Sequence, residues 1–299
     1  MRTKRGVTSI CRRPLAYARG SVAAMRVAEP RPSGSGCFWI LALLCALPVA
    51  AANRVSVTVV DAKSGKPVLG LKAEDFTLFE DKLARKAEAA EFSTDVVDVM
   101  FLLDTSLAGD MVRPVANDLV AQLKPKEQMA IVSYHSSADL IQDFTSSRQL
   151  LEKAINSVSY GNTPRLLDGL YAAIDTGMKN ATFRRVVVLL TSGYEGDSRM
   201  TERDVAQLAR KSGVSIYPVY ATGRERSLFE RLARRTGGAC FNLRDMRKEP
   251  KAEIGSRIFG VVRGHYTLTV PGNLALGEKL RVEIAKPGKW FTSALPLEW

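Results

Sequence analysis

Oxygen-bearing side chains occur at three points of the sequence where a predicted strand ends or a crossover loop runs. They are Asp104 and Ser106 in DTSLA, Thr163 in GNTP, and Ser192 in TSG. In open α/β sheets, ligands bind outside the carboxyl ends of the strands, where loops from distant parts of the chain meet. These residues are therefore candidates for one shared binding site.

The same sequence offers little for catalysis. His135 and His265 are single and far apart, so they provide neither zinc-ligand spacing nor a Ser-His-Asp arrangement. A nucleophile-elbow motif, a Walker-type phosphate loop and a dinucleotide fingerprint are all missing. We therefore expect a binding protein and not an enzyme, with a hydrolase as the less favoured alternative.

The elements that must position these residues alternate between strand and helix patterns from about residue 95 to 245. Residues 96–103 and 185–191 are nearly continuous apolar runs, as in strands buried on both faces. Apolar residues at helical spacing mark 111–123 and 166–178. The spacing of Thr201 and Asp204 resembles a capping box and predicts the start of a further helix. Repeated alternation with short connections predicts an α/β fold with a doubly wound, mainly parallel, Rossmann-like sheet, in a domain at residues 95–250.

The segments on either side of this domain show mainly strand patterns. Residues 53–94 alternate apolar and polar side chains between turn signals, and residues 251–299 combine a short helix with three strand patterns. We expect the two segments to pack together as one small β companion.

The amino terminus has the features of an export signal. Residues 37–52 form an apolar run that is short for a membrane span, basic residues precede it, and Ala50 and Ala52 suit a cleavage site. This predicts a signal peptide at residues 1–52, with a compact start at Met25, and an extracytoplasmic protein that is periplasmic, envelope-associated or secreted. An uncleaved anchor is the alternative; after cleavage we expect no stable membrane span.

Charge and cysteine content also change once the leader is set aside. Residues 1–52 carry +7 of the formal charge of +12, which leaves +5 on the remainder, and nine basic residues lie between Arg224 and Lys251. That stretch lacks interleaved aromatic residues, so we interpret it as a solvated face and expect no nucleic-acid partner.

Outside the leader only Cys240 remains, which excludes an internal disulfide.

The order and spacing of the strand-end residues resemble a von Willebrand factor type A (VWA) domain. The metal-ion-dependent adhesion site of that family, MIDAS, uses Asp-x-Ser-x-Ser, a distant Thr and a later Asp. The segment from Gly65 to Phe76, GKPVLGLKAEDF, followed by Glu80 and Asp81, is similar to the flank of the bacterial exported "VWFA-related" family. The resemblance implies a binding module whose partner, an unidentified protein, offers a carboxylate to a bound Mg²⁺.

Residue by residue, the resemblance carries over only in part. Asp104, Ser106 and Thr163 match the metal ligands, whereas Ala108 stands in place of the second serine and Ser192 in place of the later aspartate. The resemblance thus implies a degenerate MIDAS with a weakened Mg²⁺ site. The residues that could compensate, and the expected partner-binding residues, form two sets. The possible helpers are Ser192, Asp110, Glu195 and Asp197, and the partner-binding face comprises Asp104, Ser106, Thr163 and Ser192.

Purely structural roles remain open for several of these residues. A strand-end aspartate such as Asp104 often caps the following loop. Thr163 before Pro164 suits a helix N-cap, and Asp168 suits the first turn of that helix. The predicted function is accordingly an exported, adhesion-type protein-binding module. A structural envelope protein with a silent metal site is the alternative.

Overall fold

The computed structural model describes residues 52–246, 251–272 and 280–297. The leader prediction for residues 1–52 lies outside the described residues, apart from Ala52, at which the first strand begins.

A six-stranded sheet forms the centre of the molecule, in the order β10-β9-β8-β5-β6-β7. All neighbouring strands run parallel except β7, which pairs antiparallel with β6 at one edge. The chain reverses its direction of winding between β5 and β8, so the carboxyl ends of these two strands flank the switch point. The strands are β5 (Val97–Asp104), β6 (Gln128–Tyr134), β7 (Ala138–Thr145), β8 (Arg184–Thr191), β9 (Val214–Tyr220) and β10 (Phe241–Asn242).

Helices cover both faces of this sheet because its central strands are apolar on both sides. Every residue of β5 is buried. One face packs on α1, α2 and α6, and the other packs on α3, α4 and α5. The helices are α1 (Arg113–Val120), α2 (Arg148–Ser157), α3 (Leu166–Asp175), α4 (Glu202–Lys211), α5 (Arg226–Arg235) and α6 (Lys251–Arg263).

Two small antiparallel sheets form the companion to this domain. One has the order β13-β1-β11-β4, and the other has the order β12-β2-β3. Apolar residues of both sheets, with Phe76 and Tyr266 in ring contact at 5.1 Å, form a separate core. The strands are β1 (Ala52–Asp61), β2 (Phe76–Glu80), β3 (Leu83–Lys86), β4 (Ala89–Thr94), β11 (Gly264–Pro271), β12 (Leu280–Ile284) and β13 (Trp290–Leu297).

The predicted fold class, a doubly wound, mainly parallel sheet with a small β companion, is confirmed. The expectation that all of residues 251–299 packs with residues 53–94 is wrong for the helix, because α6 buries Ile258 and Phe259 against the central sheet. Some local sequence patterns match the observed helices, and others differ from them at the ends. Thr201 caps α4 with the reciprocal hydrogen bonds of a capping box to Asp204, as its spacing indicates. The helical pattern from Met111 is instead divided between a 3₁₀ turn, Gly109–Val112, and α1. Pro114 fits this boundary, because proline is tolerated in the first turn of a helix.

A buried ion pair joins α6 to the loop that leads into β6. Arg263 Nε donates to Glu127 Oε1 at 2.7 Å, and Arg263 Nη2 donates to Glu127 Oε2 at 2.7 Å and to the Gln122 carbonyl at 2.6 Å. Both side chains are buried, at 8% and 2% exposure. Since β11 begins at the next residue, Gly264, this pair fixes the point where the chain leaves the domain for the companion.

Among the described helices, none combines the length and the apolar character that crossing a membrane requires.

We expect Glu127→Ala to lower the free energy of unfolding by about 3–5 kcal/mol, because Arg263 would keep a buried charge without its partner. Urea denaturation followed by circular dichroism measures this. The double variant Glu127→Leu/Arg263→Met should lose clearly less than the single variant, since it leaves no charge unpaired. A double variant as unstable as the single one would contradict this account.

Candidate functional site

The loop that follows β5 is bonded to the end of β6 and to the loop between α2 and α3. The N–H of Thr105 donates to the Tyr134 carbonyl at 2.9 Å, and the N–H of Gly161 donates to the Thr105 carbonyl at 2.9 Å. The N–H of Leu107 donates to the Asn162 carbonyl at 3.2 Å. The loop containing Thr163 is therefore held against the loop that follows β5.

Asp104 lies at the centre of this junction and is completely buried. Its Oδ1 accepts from the Ser106 N–H at 2.9 Å. Its Oδ2 accepts from the Ser192 N–H at 2.8 Å, from the Ser192 hydroxyl at 2.6 Å and from the Thr191 hydroxyl at 3.3 Å. Hydrogen bonds to a carboxylate are among the strong ones, so this side chain ties the end of β5 to the end of β8.

Two glycines allow the loops to come this close. A Cβ on Gly109 would lie 2.2 Å from the Asp104 carbonyl oxygen and 2.9 Å from Asp104 Oδ1. Gly193 has a φ of +97°, and a Cβ there would lie 2.4 Å from the Thr222 carbonyl oxygen. Both positions therefore require glycine, the first for space and the second for space and backbone conformation.

A pocket of about 320 Å³ opens above this junction; we call it the rim pocket. Its mouth is unusually apolar, since Leu107 is 79% exposed and Met111 is 51% exposed. The rim pocket is lined by Ser106, Leu107, Ala108, Met111, Asn162, Thr163, Pro164, Tyr194 and Glu195.

Four buried polar atoms around this junction have no hydrogen-bond partner within the described part of the chain. They are the hydroxyls of Ser106, Tyr134 and Tyr160, and Glu195 Oε1. Burial raises the pKa of the Tyr134 hydroxyl, and the negative charge of Asp104 raises it further. Burial also raises the pKa of Glu195, against the opposing effect of hydrogen bonds from Ser198 and the N–H of Leu167.

Glu195 has a further structural role at the start of α3. The N-cap residue of this helix is Arg165, whose side chain makes no capping bond, and Glu195 Oε2 instead accepts from the Leu167 N–H at 3.2 Å. The interpretation of Thr163 as the N-cap is therefore wrong: Pro164 and Arg165 separate it from the first helical residue. Asp168 does lie in the first turn, and its Oδ1 accepts from the N–H groups of Arg199 and Met200, both at 2.8 Å.

The predicted site residues thus fall into two layers and a remainder. Asp104 and Ser192 are buried and bonded to each other, while Ser106, Thr163 and Glu195 line the rim pocket above them. Asp110 and Asp197 are exposed and do not line it.

Sequence reasoning missed several residues that build the site. Thr191 and Tyr134 are the last residues of β8 and β6, and that position is the signal that would have found them. In the sequence, Leu107 occupies a spacer position of the DTSLA motif and Met111 belongs to a helical pattern. Neither pattern reveals that these apolar side chains lie exposed beside a pocket.

The donor set does not fit the Mg²⁺ site that the resemblance implies. Mg²⁺ binds hard oxygen ligands and usually one or two carboxylates. Here both Asp104 oxygens already accept protein hydrogen bonds, Ala108 has no ligand atom, and the Ser192 hydroxyl donates to Asp104. Among the described residues, no group of three or more His, Cys, Asp or Glu is placed to hold a metal ion.

We expect Asp104→Ala to lower the free energy of unfolding by about 3 kcal/mol, because it leaves the buried donors of Ser106 and Ser192 without an acceptor. Chemical denaturation of the purified variant checks this value. Asp110→Ala removes an exposed carboxylate from the neighbouring turn and should cost less than about 0.5 kcal/mol. Equal stability of the two variants would refute the structural role of Asp104.

Several proteins of known structure match part of this chain. Proximal thread matrix protein 1 from the mussel byssus, in a form with a zinc-occupied MIDAS motif, shares 19% identity over 61% of this chain and 49% of its own, with a TM-score of 0.49. This chain thus aligns with about half of that protein.

Two further solved structures align with most of their own length. An aerotolerance-related membrane protein from Bacteroides fragilis shares 13% identity over 54% of this chain and 96% of its own, with a TM-score of 0.44. The SpRpn10 VWA domain shares 12% identity over 53% of this chain and 97% of its own, with a TM-score of 0.43.

No curated protein matches the sequence at a significant level. The family model of the von Willebrand factor type A domain, by contrast, matches residues 98–253, which is 156 of the 299 residues. This match spans the central sheet from the second residue of β5 to β10, together with helices α1 to α5 and the start of α6. The chain belongs to the von Willebrand factor type A domain family.

Proposed function

We propose that this chain is an exported bacterial binding module, without catalytic activity, whose protein partner docks on the rim pocket. VWA domains commonly mediate protein–protein interaction, which sets the general class. The assignment to the exported "VWFA-related" group and the degenerate form of the MIDAS are parts of this proposal, and they rest on the sequence motifs.

One observation carries the proposal: the apolar mouth of the rim pocket at the ligand-binding edge of the sheet. Leu107 and Met111 expose 79% and 51% of their surface beside a concave site lined by Ser106, Thr163 and Glu195. An exposed apolar patch with a few polar groups inside is typical of an interaction site, where burial of apolar surface drives association. We therefore place the partner at this edge.

The buried layer supports this contact from below. Asp104, Ser106 and Ser192 are fully buried, so the partner-binding face in this proposal consists of the exposed part of the pocket lining, including Leu107 and Thr163. The loss of two expected metal-site groups, at Ala108 and Ser192, favours recognition that needs no Mg²⁺. Sites held by packing and hydrogen bonds of this kind present a preformed surface to the partner.

Export and an extracytoplasmic location are proposed from the apolar segment and small residues of the leader.

A structural role in the envelope is the second candidate function. It is favoured by Leu83, which is 55% exposed on the edge strand β3 of the companion. The two candidates differ in where a partner would touch the molecule.

A photo-crosslinking residue at Leu107 should capture the partner in intact cells, whereas the same residue at Leu83 should not, because only Leu107 lies at the rim pocket. Crosslinked products are identified by mass spectrometry. The variant Thr163→Arg should reduce capture from Leu107 at least tenfold by filling the pocket entrance. Capture from Leu83 alone would contradict this proposal and support the structural role.

We expect Mg²⁺ to leave the melting temperature of the wild-type protein unchanged, since its donor set does not fit the ion. The double variant Ala108→Ser/Ser192→Asp restores the missing hydroxyl and carboxylate. It should be less stable than wild type without metal, because Asp104 would face a second buried carboxylate, and should be stabilised by millimolar Mg²⁺. Differential scanning calorimetry with EDTA and Ca²⁺ controls tests this, and a Mg²⁺-dependent shift in the wild type would overturn metal-independent binding.

A further inference from the structure

We infer that the rim pocket receives a basic side chain of the partner, lysine or arginine, and not the carboxylate that a metal-loaded site would take. This inference rests on the proposed function, since it assigns the chemistry of the group that enters the same pocket. Three features of the described residues support the inference. They are the negative charge beneath the pocket, an unpaired acceptor atom of Glu195, and the apolar lining of the pocket.

The first feature is negative charge without a cation. Asp104 lies completely buried under the pocket, and Glu195 forms part of the lining. Within the described part of the chain, neither carboxylate takes part in an ion pair. The charge of Asp104 acts on the neighbouring hydroxyl group of Tyr134, since after burial it raises the pKa of that group further. Electrostatic attraction is strong where water is excluded, so this edge of the sheet favours a cation.

The second feature is an acceptor atom that has no hydrogen-bond partner among the described residues. Glu195 Oε1 is buried without a partner, although Oε2 accepts from the Leu167 N–H. A carboxylate oxygen can only accept, so a group that pairs with it must be a donor. An ammonium or guanidinium provides several N–H donors, whereas a carboxylate provides none.

The third feature is the apolar part of the pocket lining. Leu107, Ala108, Met111 and Pro164 line the pocket, and its volume is about 320 Å³. Lysine and arginine carry three or four methylene groups that pack along apolar surface while the charged end reaches a polar group. These residues therefore suit the stem, and the negative charge of Glu195 suits the charged end.

Two positively charged side chains lie near the pocket but do not pair with its carboxylates. Arg224 stacks on the Tyr194 ring at 5.3 Å, and Arg113 lies 5.9 Å from the centre of the Tyr160 ring. Neither forms an ion pair with Glu195 or Asp104 among the described contacts. The amino terminus of α3 is occupied by Glu195 Oε2, which leaves Oε1 for an external donor.

Nuclear magnetic resonance titration with blocked single amino acids tests the inference. The probes are the N-acetyl methylamides of lysine, arginine, glutamate and norleucine, added to protein labelled at the methionine methyl groups, with Met111 as the reporter. We expect saturable shifts with lysine and arginine, and affinity for them at least tenfold higher than for glutamate or uncharged norleucine.

Two matched variants distinguish the effect of a negative charge in the pocket from the effect of the net charge of the protein. Glu195→Gln keeps an oxygen that can accept from Leu167 and should weaken lysine and arginine binding about tenfold, as expected for the loss of a charged hydrogen bond. Asp197→Asn removes the same charge from an exposed position outside the pocket and should change affinity less than twofold.

The remaining outcomes overturn the inference in distinguishable ways. Equal binding of norleucine and lysine would mean a purely apolar pocket, and preferential binding of glutamate would mean that Arg224 recognises an acid. Absence of shifts with every probe, or capture from Leu107 that is unaffected by Glu195→Gln, would also refute it. In each case partner capture from Leu107 would leave the proposed function standing, whereas failure of that capture would refute the proposed function itself.

Discussion

The Asp104 carboxylate is the constraint on which the functional edge of this molecule depends. A buried carboxylate is costly unless its oxygens are paired, and here backbone and hydroxyl donors from two strand ends pair both of them. Because the donors come from the loops after β5 and β8, satisfying the charge also fixes how these loops meet. The requirement for glycine at positions 109 and 193 follows from the same close approach.

The position of Ser192 explains how this arrangement departs from the metal-binding pattern that the sequence resembles. An aspartate there would place two carboxylates together and require a cation between them. Serine instead donates a hydroxyl to Asp104 at 2.6 Å and turns a repulsive pair into a hydrogen bond. Ala108 removes a further oxygen and leaves a methyl group on the pocket wall. In the proposed function, Ser192 and Ala108 together account for an apolar pocket above a hydrogen-bonded carboxylate in place of an ion-coordinating site.

The sequence predicted the elements well because their signals are local. The apolar runs of β5 and β8 and the capping box of α4 depend on neighbouring residues, and the structure follows them closely. The convergence of the strand ends was also predictable, since it follows from the rule for doubly wound sheets. The use of Glu195 to cap α3 was not, because that contact joins residues 28 positions apart and no local pattern reports it. The exposure of Leu107 likewise depends on how three loops meet.

A purely structural explanation accounts for only part of this edge. If Asp104 served only to join β5 and β8, its bonds with Ser106, Thr191 and Ser192 would complete that role, and nothing would require a pocket above it. Yet Glu195 keeps a buried acceptor without a partner among the described residues, and Leu107 and Met111 remain exposed. Each of these features costs stability in an isolated protein. Both are offset when one donor with an apolar stem enters the pocket, because the same event brings a positive charge to Glu195 and covers the apolar lining.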